Sequence, residues 1–298
     1  MDRKEHFLTL MDFSPEEVLA LLDRSAEIKR GVPRQGGALP LKGKCVGILF
    51  EKASTRTRVS FEVGIRQLGG HAVFLGWTDV QLGRGEPLRD TARVLSRYLD
   101  AIVMRTYGQE ILEELARWSS IPVINGLTDM FHPCQVLADL MTVQEVGLDV
   151  ENMKAAWIGD GNNMANSWII AAMKLGFGLT LACPEGYDPG VEFNSGNVVL
   201  TRHPAEAVRD AQVISTDVWA SMGQEDEAEA RRKAFAGFQV NSELLELAHH
   251  NVRVLHCLPA HRGEEITDEV LESPHSLIWD QAENRLHAQK AVLELLLG

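Results

Sequence analysis

The sequence predicts an α/β protein built from two parallel-sheet domains of Rossmann-like topology, linked by helices. Three observations predict it. From residue 45 onward, short apolar runs alternate with amphipathic stretches, as parallel strands alternate with covering helices. The alternation restarts after Gly147-Leu148-Asp149. The 298 residues suit roughly two domains at about 150 residues each. The first domain is expected over 1–147 and the second over 148–279. The C-terminal segment 280–298 is expected to pack back on the first domain.

Each element has a local reason. Ser14-Pro15-Glu16-Glu17 opens the first helix with an N-cap, a proline at the first helical position and an acid at the third. Val18, Leu21, Leu22 and Ala26 follow at helical spacing, and Gly31 supplies a stop. Residues 32–41 are rich in Gly and Pro and read as a loop. Strands are expected at 45–50, 71–75, 101–104 and 123–127, with helices at 58–68, 88–99 and 110–118. A long linking helix is expected over 133–146. In the second half, strands are expected at 155–158, 179–183, 198–200, 213–216 and 252–255. Helices are expected there at 164–175, 204–209, 225–235 and 244–248, with a final helix over 286–297.

Lys and Arg total 29 against 42 Asp and Glu, a net charge of −13. Such a surface repels phosphate backbones and anionic membranes, so no nucleic-acid or membrane partner is expected. A local arginine cluster can still hold a small anion. The first ten residues carry Asp2, Arg3, Lys4 and Glu5 and no apolar core, so no secretory signal is expected. The four cysteines, Cys45, Cys134, Cys183 and Cys257, are scattered and form no CxxC. A reduced, cytoplasmic setting is the natural reading.

Five segments could carry chemistry. Ser54-Thr55-Arg56-Thr57-Arg58 follows a buried strand and opens a helix, whose N-terminus offers N–H groups and partial positive charge. Its hydroxyls and guanidiniums make an anion cradle, with phosphate the usual occupant. The same run also fits a capped helix with surface arginines. His132-Pro133-Cys134-Gln135 starts the linking helix at a strand end, where open α/β sheets bind ligands. Gly159-Asp160-Gly161-Asn162-Asn163-Met164 is half a dinucleotide fingerprint, but Met164 stands at the third glycine. Asn163 could orient a ligand. Asp217, leaving a strand toward Ser221-Met222-Gly223, could hold a cation or simply form a turn. His256-Cys257-Leu258-Pro259 ends another strand, with Cys257 either a nucleophile or an inert thiol. His249, His250 and His261 lack metal-ligand spacing.

Taken in order, these segments resemble the aspartate/ornithine carbamoyltransferase family. The resemblance runs through Phe50 to Arg58, Asp90-Thr91-Ala92-Arg93-Val94-Leu95, His132 to Gln135, Ser221-Met222-Gly223, His256 to Pro259 and Ala282-Glu283-Asn284-Arg285. The Ser-Met-Gly and His-Cys-Leu-Pro segments are similar to the family's ornithine branch. The resemblance implies carbamoyl transfer from carbamoyl phosphate to the δ-amine of L-ornithine, giving citrulline and phosphate. It implies that Ser54, Thr55, Arg56 and Thr57 bind the phosphate. Arg105 would reach phosphate and carbonyl oxygen, and His132, with Pro133, Cys134 and Gln135, would hold the carbamoyl group. Cys257, Leu258 and Arg285 would complete that site, and Gln81 would join it from a neighbouring subunit of a homotrimer or a multiple of trimers. Asn163, Asp217, Ser221 and Met222 would bind ornithine, with Arg56, Arg105, His132 and Cys257 as the catalytic set. The Ser221-Met222-Gly223 loop is expected to close after carbamoyl phosphate binds first. The resemblance implies no cofactor and no metal, because carbamoyl phosphate is already activated. Other readings are a different amine acceptor, a dinucleotide-dependent oxidoreductase using Gly159 to Asn163, and a non-catalytic anion binder.

Overall fold

The computed structural model describes residues 5–33, 37, 39–220 and 225–298. The chain divides into two compact units, Met1–Met141 with Asn284–Gly298, and Thr142–Glu283.

The first unit opens on α1 (Pro15–Lys29), whose Ser14 Oγ accepts the Glu17 N–H while the Glu17 carboxylate accepts the Ser14 N–H. Then come β1 (Cys45–Phe50), α2 (Thr55–Gln67), β2 (His71–Gly76), α3 (Leu88–Leu95), β3 (Ala101–Arg105), α4 (Gln109–Trp118), β4 (Val123–Leu127) and α5 (Pro133–Glu145). All ladders are parallel, in the order β2-β1-β3-β4. Phe7 adds a parallel bridge to Ile124 at the β4 edge. The sheet buries Val46, Ile48, Leu49, Ile102, Met104 and Val123, each fully covered, as a parallel sheet with helices on both faces requires.

The second unit holds β5 (Lys154–Ile158), α6 (Asn163–Leu175), β6 (Gly178–Ala182), β7 (Val198–Thr201), α7 (Pro204–Ala207), β8 (Val213–Thr216), α8 (Ala228–Ala234), α9 (Ser242–Glu246), β9 (Arg253–His256) and α10 (Asp268–Leu271). Its sheet is also parallel throughout, in the order β7-β6-β5-β8-β9. Trp157, Trp168, Phe177 and Phe235 are buried within this unit.

The last helix, α11 (Ile278–Leu297), begins eight residues before the expected start. Arg24 on α1 grips it through Glu294 with two contacts, Nε to Oε1 at 2.8 Å and Nη2 to Oε2 at 3.1 Å. Helix α2 starts at Thr55, three residues before its expected start, because Ser54 caps it. Helix α3 stops at Leu95 rather than 99, where the Ser96 Oγ turns back to the Ala92 carbonyl at 2.7 Å. The helix expected over 225–235 is a single 3-10 turn over Glu225–Glu227 followed by α8.

Candidate functional site

Both sheets have a topological switch point. In the first unit the order reverses between β1 and β3, so a crevice opens beyond their carboxyl ends. The segments that leave β1 and β3 are Glu51 to Thr57 and Arg105-Thr106. They are tied together: Glu51 N–H donates to the Arg105 carbonyl at 2.8 Å, and the Thr106 hydroxyl donates to the Glu51 carboxylate. A β-bulge between Met104 and Arg105 shifts the pairing with β4, and such a shift re-aims the Arg105 side chain.

At this end the first turn of α2 carries no acid and two arginines, Arg56 and Arg58. That opposes the helix dipole, whereas α1 has Glu16 and Glu17 in its first turn. The Ser54 Oγ accepts the Thr57 N–H at 3.2 Å and fixes the turn. Thr57 is fully buried, and two guanidiniums reach it from distant parts of the chain. Arg285 Nη2 donates to Thr57 Oγ1 at 2.6 Å, and Arg105 Nη1 donates to the same oxygen at 3.4 Å. Both arginines are buried, at 5% exposure for Arg105 and 3% for Arg285. A hydroxyl has two acceptor positions and one proton; with two guanidiniums donating to its oxygen, Thr57 keeps its proton to donate.

His132 sits at the start of α5 and is 4% exposed. Burial, then the charges of Arg285, Arg105 and Arg56, hold its pKa well below 6.5, so the ring is neutral at pH 7. Gln135, one turn on and fully buried, donates its Nε2 to Asp139 Oδ1 at 2.8 Å. A carboxylate accepts from that amide, which fixes the side chain's orientation. Its buried Oε1 has no hydrogen-bond partner among the described residues. Cys134 is 1% exposed and turns its thiol to the Asn125 carbonyl at 3.4 Å. Burial pushes that thiol up to about 12. Pro133 is buried beside it, and Thr55 and Arg56 are exposed at the mouth of α2.

One expectation differs in detail. Arg58 does not join the cradle: its guanidinium pairs with Glu62 at 2.8 Å and stacks over Phe74 at 3.6 Å. Its place is filled by Arg105 and Arg285. Gln81 stands exposed in a 3-10 turn, Gln81–Arg84.

In the second unit the order reverses between β5 and β8. The residues beyond them meet: Asn162 Nδ2 donates to Asp217 Oδ2 at 2.8 Å. Asn162 is also the N-cap of α6, its Oδ1 accepting the N–H groups of Met164 and Ala165. Asp217 Oδ1 accepts the Cys257 thiol at 3.0 Å and the Val218 N–H at 2.8 Å. The structure therefore joins Asp217 and Cys257, with Leu258 following, and adds Asn162, which the sequence reading passed over. The preference of Asn for N-caps is the signal that could have found it. Asn163 occupies the first position of α6 and is half-buried. Ser221 and Met222 lie outside the described residues.

Gly161 explains the imperfect dinucleotide fingerprint. A Cβ there would lie 2.3 Å from Asp188 C and Pro189 N, and Gly161 N–H donates to the Tyr187 carbonyl at 2.9 Å. Its small size serves packing against this loop.

Beneath the second site, Asp160 pairs with Arg231 at 3.0 Å. Arg231 also donates to the Trp219 carbonyl at 2.9 Å and pairs with Glu227 at 3.0 Å. Burial outweighs the Arg231 charge and raises Asp160 from 3.8 to about 6. Between these values the unfolded carboxylate ionises while the folded one keeps its proton, so this group's contribution to stability falls as pH rises. The loss amounts to about 3 kcal/mol and is complete above pH ~6–7. Asp160→Asn is expected to remove that slope, so urea midpoints at pH 4.5 and 7 should differ less in the variant than in the parent chain. Equal differences would show that Asp160 ionises normally.

Two groups of described residues bring three metal-ligating side chains within 4.8 Å: Asp217, His256 and Cys257; and His261, Glu264 and Glu265. In the first group both ring nitrogens of His256 already make protein hydrogen bonds, to Glu265 and to the Leu258 N–H. No described helix is long and apolar enough to cross a membrane.

Residues 5–145 match the profile described as "Aspartate/ornithine carbamoyltransferase, carbamoyl-P binding domain", and residues 151–296 match the corresponding "Asp/Orn binding domain". The chain belongs to the aspartate/ornithine carbamoyltransferase family. Within this carbamoyltransferase family it is similar to an ornithine carbamoyltransferase of Geobacter metallireducens, at 55% identity over 98% of this chain and 99% of that one. It is 56% identical to the anabolic ornithine carbamoyltransferase of Pseudomonas aeruginosa, over 98% of this chain and 97% of that one. Among solved carbamoyltransferase structures, that from Pyrococcus furiosus superposes with a TM-score of 0.92 at 51% identity, covering 99% of this chain and 97% of that one.

Proposed function

We propose that this transferase moves the carbamoyl group of carbamoyl phosphate to the δ-amine of L-ornithine, giving L-citrulline and phosphate, as a step in arginine synthesis. The observation that carries the reading is the convergence of Arg105 and Arg285 on Thr57 at a helix N-terminus whose first turn is basic. That arrangement calls for an anion.

In this reading the phosphate lies against Ser54, Thr55, Arg56 and Thr57, with Arg105 and Arg285 behind. His132, being neutral, donates one ring N–H without adding charge. The Gln135 Oε1 accepts from the carbamoyl NH2, which is the donor its fixed orientation requires. In the second unit Asp217 holds the α-ammonium of ornithine and Asn163 its α-carboxylate, while Cys257 and Leu258 border the reacting carbon.

An alkyl amine with a pKa near 10.4 costs about 4.6 kcal/mol to present as the free base at pH 7. Arginines near the reacting carbon favour that neutral form, since they repel a second cation. Attack makes a C–N bond and a tetrahedral oxyanion, which Arg105, His132 and the Thr57 hydroxyl stabilise. The C–O bond to phosphate then breaks, and the leaving phosphate takes the amine proton.

Carbamoyl transfer, read as phosphate release, with ornithine, putrescine, an N-acylated ornithine and aspartate as acceptors tests the reading. Ornithine should exceed the others by about two orders of magnitude or more in kcat/KM, because a buried site left with unmatched polar groups discriminates strongly. Equal turnover of putrescine and ornithine would refute it. We place the enzyme in the cytoplasm as a homotrimer, with Gln81 contributed to a neighbour's site. Light scattering should then return three times the chain mass of 33.0 kDa, and an active monomer would contradict the shared site.

A further inference from the structure

Strand β9 ends at His256, and the chain turns at once. Leu258 has φ of +59°, in the left-handed region that side chains other than glycine rarely adopt. Among the described residues only Asp210 shares such a value without being glycine. A strained residue of this kind persists only where its surroundings hold it.

The restraint is visible. The Leu258 N–H donates to His256 Nδ1 at 2.9 Å. A ring nitrogen that accepts an N–H carries no proton, so the proton of the neutral ring is on Nε2. Nε2 lies 3.0 Å from Glu265 Oε1 and donates to it. The same carboxylate oxygen accepts the His261 N–H at 2.6 Å. His256 and Glu265 are both fully buried. On the other side of the turn, the Cys257 thiol donates to Asp217. Residues 257–258 are thus pinned in front by Asp217 and behind by the His256–Glu265 pair.

We propose that Glu265 is a positioning residue for the transfer reaction. It touches neither substrate. It fixes His256 as the Nε2–H tautomer, and the bare Nδ1 then holds the Leu258 backbone in its left-handed form. That conformation sets the direction of the Cys257 and Leu258 main chain. Without the carboxylate the imidazole is free to carry its proton on Nδ1, the Leu258 N–H loses its acceptor, and the turn relaxes. The proposal rests on the reading that Cys257 and Leu258 border the reacting carbon.

Paired isosteres test it. In His256→Asn the Oδ1 stands where Nδ1 stood, so the Leu258 contact survives and the Glu265 contact is lost. In His256→Gln the amide reaches Glu265 and the Leu258 contact is lost. Glu265→Gln keeps an acceptor oxygen, and Glu265→Ala removes it. Citrulline turnover should fall about 20- to 100-fold in kcat for His256→Gln and Glu265→Ala. It should stay within about threefold for His256→Asn and Glu265→Gln. The affinity for a non-reactive phosphonate analogue of carbamoyl phosphate should change far less than kcat in all four.

A pair with only a structural role would make His256→Asn as damaging as His256→Gln, and that result overturns the proposal. So does wild-type kcat in Glu265→Ala. Should the damaging variants fail to fold, ¹⁵N spectra of histidine-labelled parent chain decide: a protonated Nδ1 at His256 overturns the proposal, and an unprotonated one supports it. If the parent chain makes no citrulline, the functional reading fails by itself, and the tautomer measurement still reports on Glu265.

Discussion

Arg105→Ala is expected to lower kcat/KM for carbamoyl phosphate by about three orders of magnitude, the largest effect of any single change in the first unit. Removing one donor to a developing oxyanion costs roughly 3–4 kcal/mol. In the proposed mechanism Arg105 serves both the oxyanion and the departing phosphate, so two contacts go at once. The loss should fall mainly on kcat. Arg105→Lys should recover little, because a compact ammonium lacks the planar fork by which the guanidinium reaches Thr57 and a ligand in fixed directions. Steady-state kinetics with saturating ornithine, and calorimetric binding of the phosphonate analogue, separate the two effects. Near-normal turnover in Arg105→Ala would remove Arg105 from the reaction. Folding is a fair control, since the truncated side chain leaves Arg285 in contact with Thr57.

Asp217→Ala is expected to raise the KM for ornithine and lower kcat/KM by about two to three orders of magnitude. The carboxylate is 7% exposed and is the hub on which Asn162, Cys257 and the Val218 N–H converge. Losing one partner of a buried charge pair costs about 2–5 kcal/mol. Asp217→Asn keeps the size but not the charge and should fall nearly as far. Carbamoyl phosphate affinity should change far less, because the contacts proposed for its phosphate lie in the other unit. A parallel loss of both affinities would show that Asp217 holds up the fold rather than the amine.

The alternation of strands and helices was legible because a parallel sheet covered on both faces leaves continuous apolar runs. Cys45 to Phe50, Val123 to Leu127 and Val213 to Thr216 stand where the sequence places them. The early part of α11 was not legible. Ala282-Glu283-Asn284-Arg285 contains no strong apolar stripe, and Gln281, Asn284 and Arg285 are buried although polar, while Glu283 is exposed. The anion cradle was visible in Ser54 to Thr57 because a cap and a helix start are local events. The Arg285–Thr57 contact joins residues 228 positions apart; the family resemblance pointed to Arg285, and spacing could not. Asp139, Asn162, Arg231 and Glu265 were missed for related reasons. Each acts through a partner, and a sequence shows residues before it shows pairs.

If the cradle is the phosphate site proposed above, that long-range contact sets when it can be completed during synthesis. Every strand of the first sheet is made before residue 128, yet the cradle lacks a guanidinium until Arg285 emerges. At about 5–20 residues per second, the 228 positions between Thr57 and Arg285 correspond to roughly 10–45 s of translation. A nascent first unit therefore has its scaffold long before it has its ligand site. With carbamoyl phosphate as the ligand, binding adds stability only to chains whose C-terminal helix has been made.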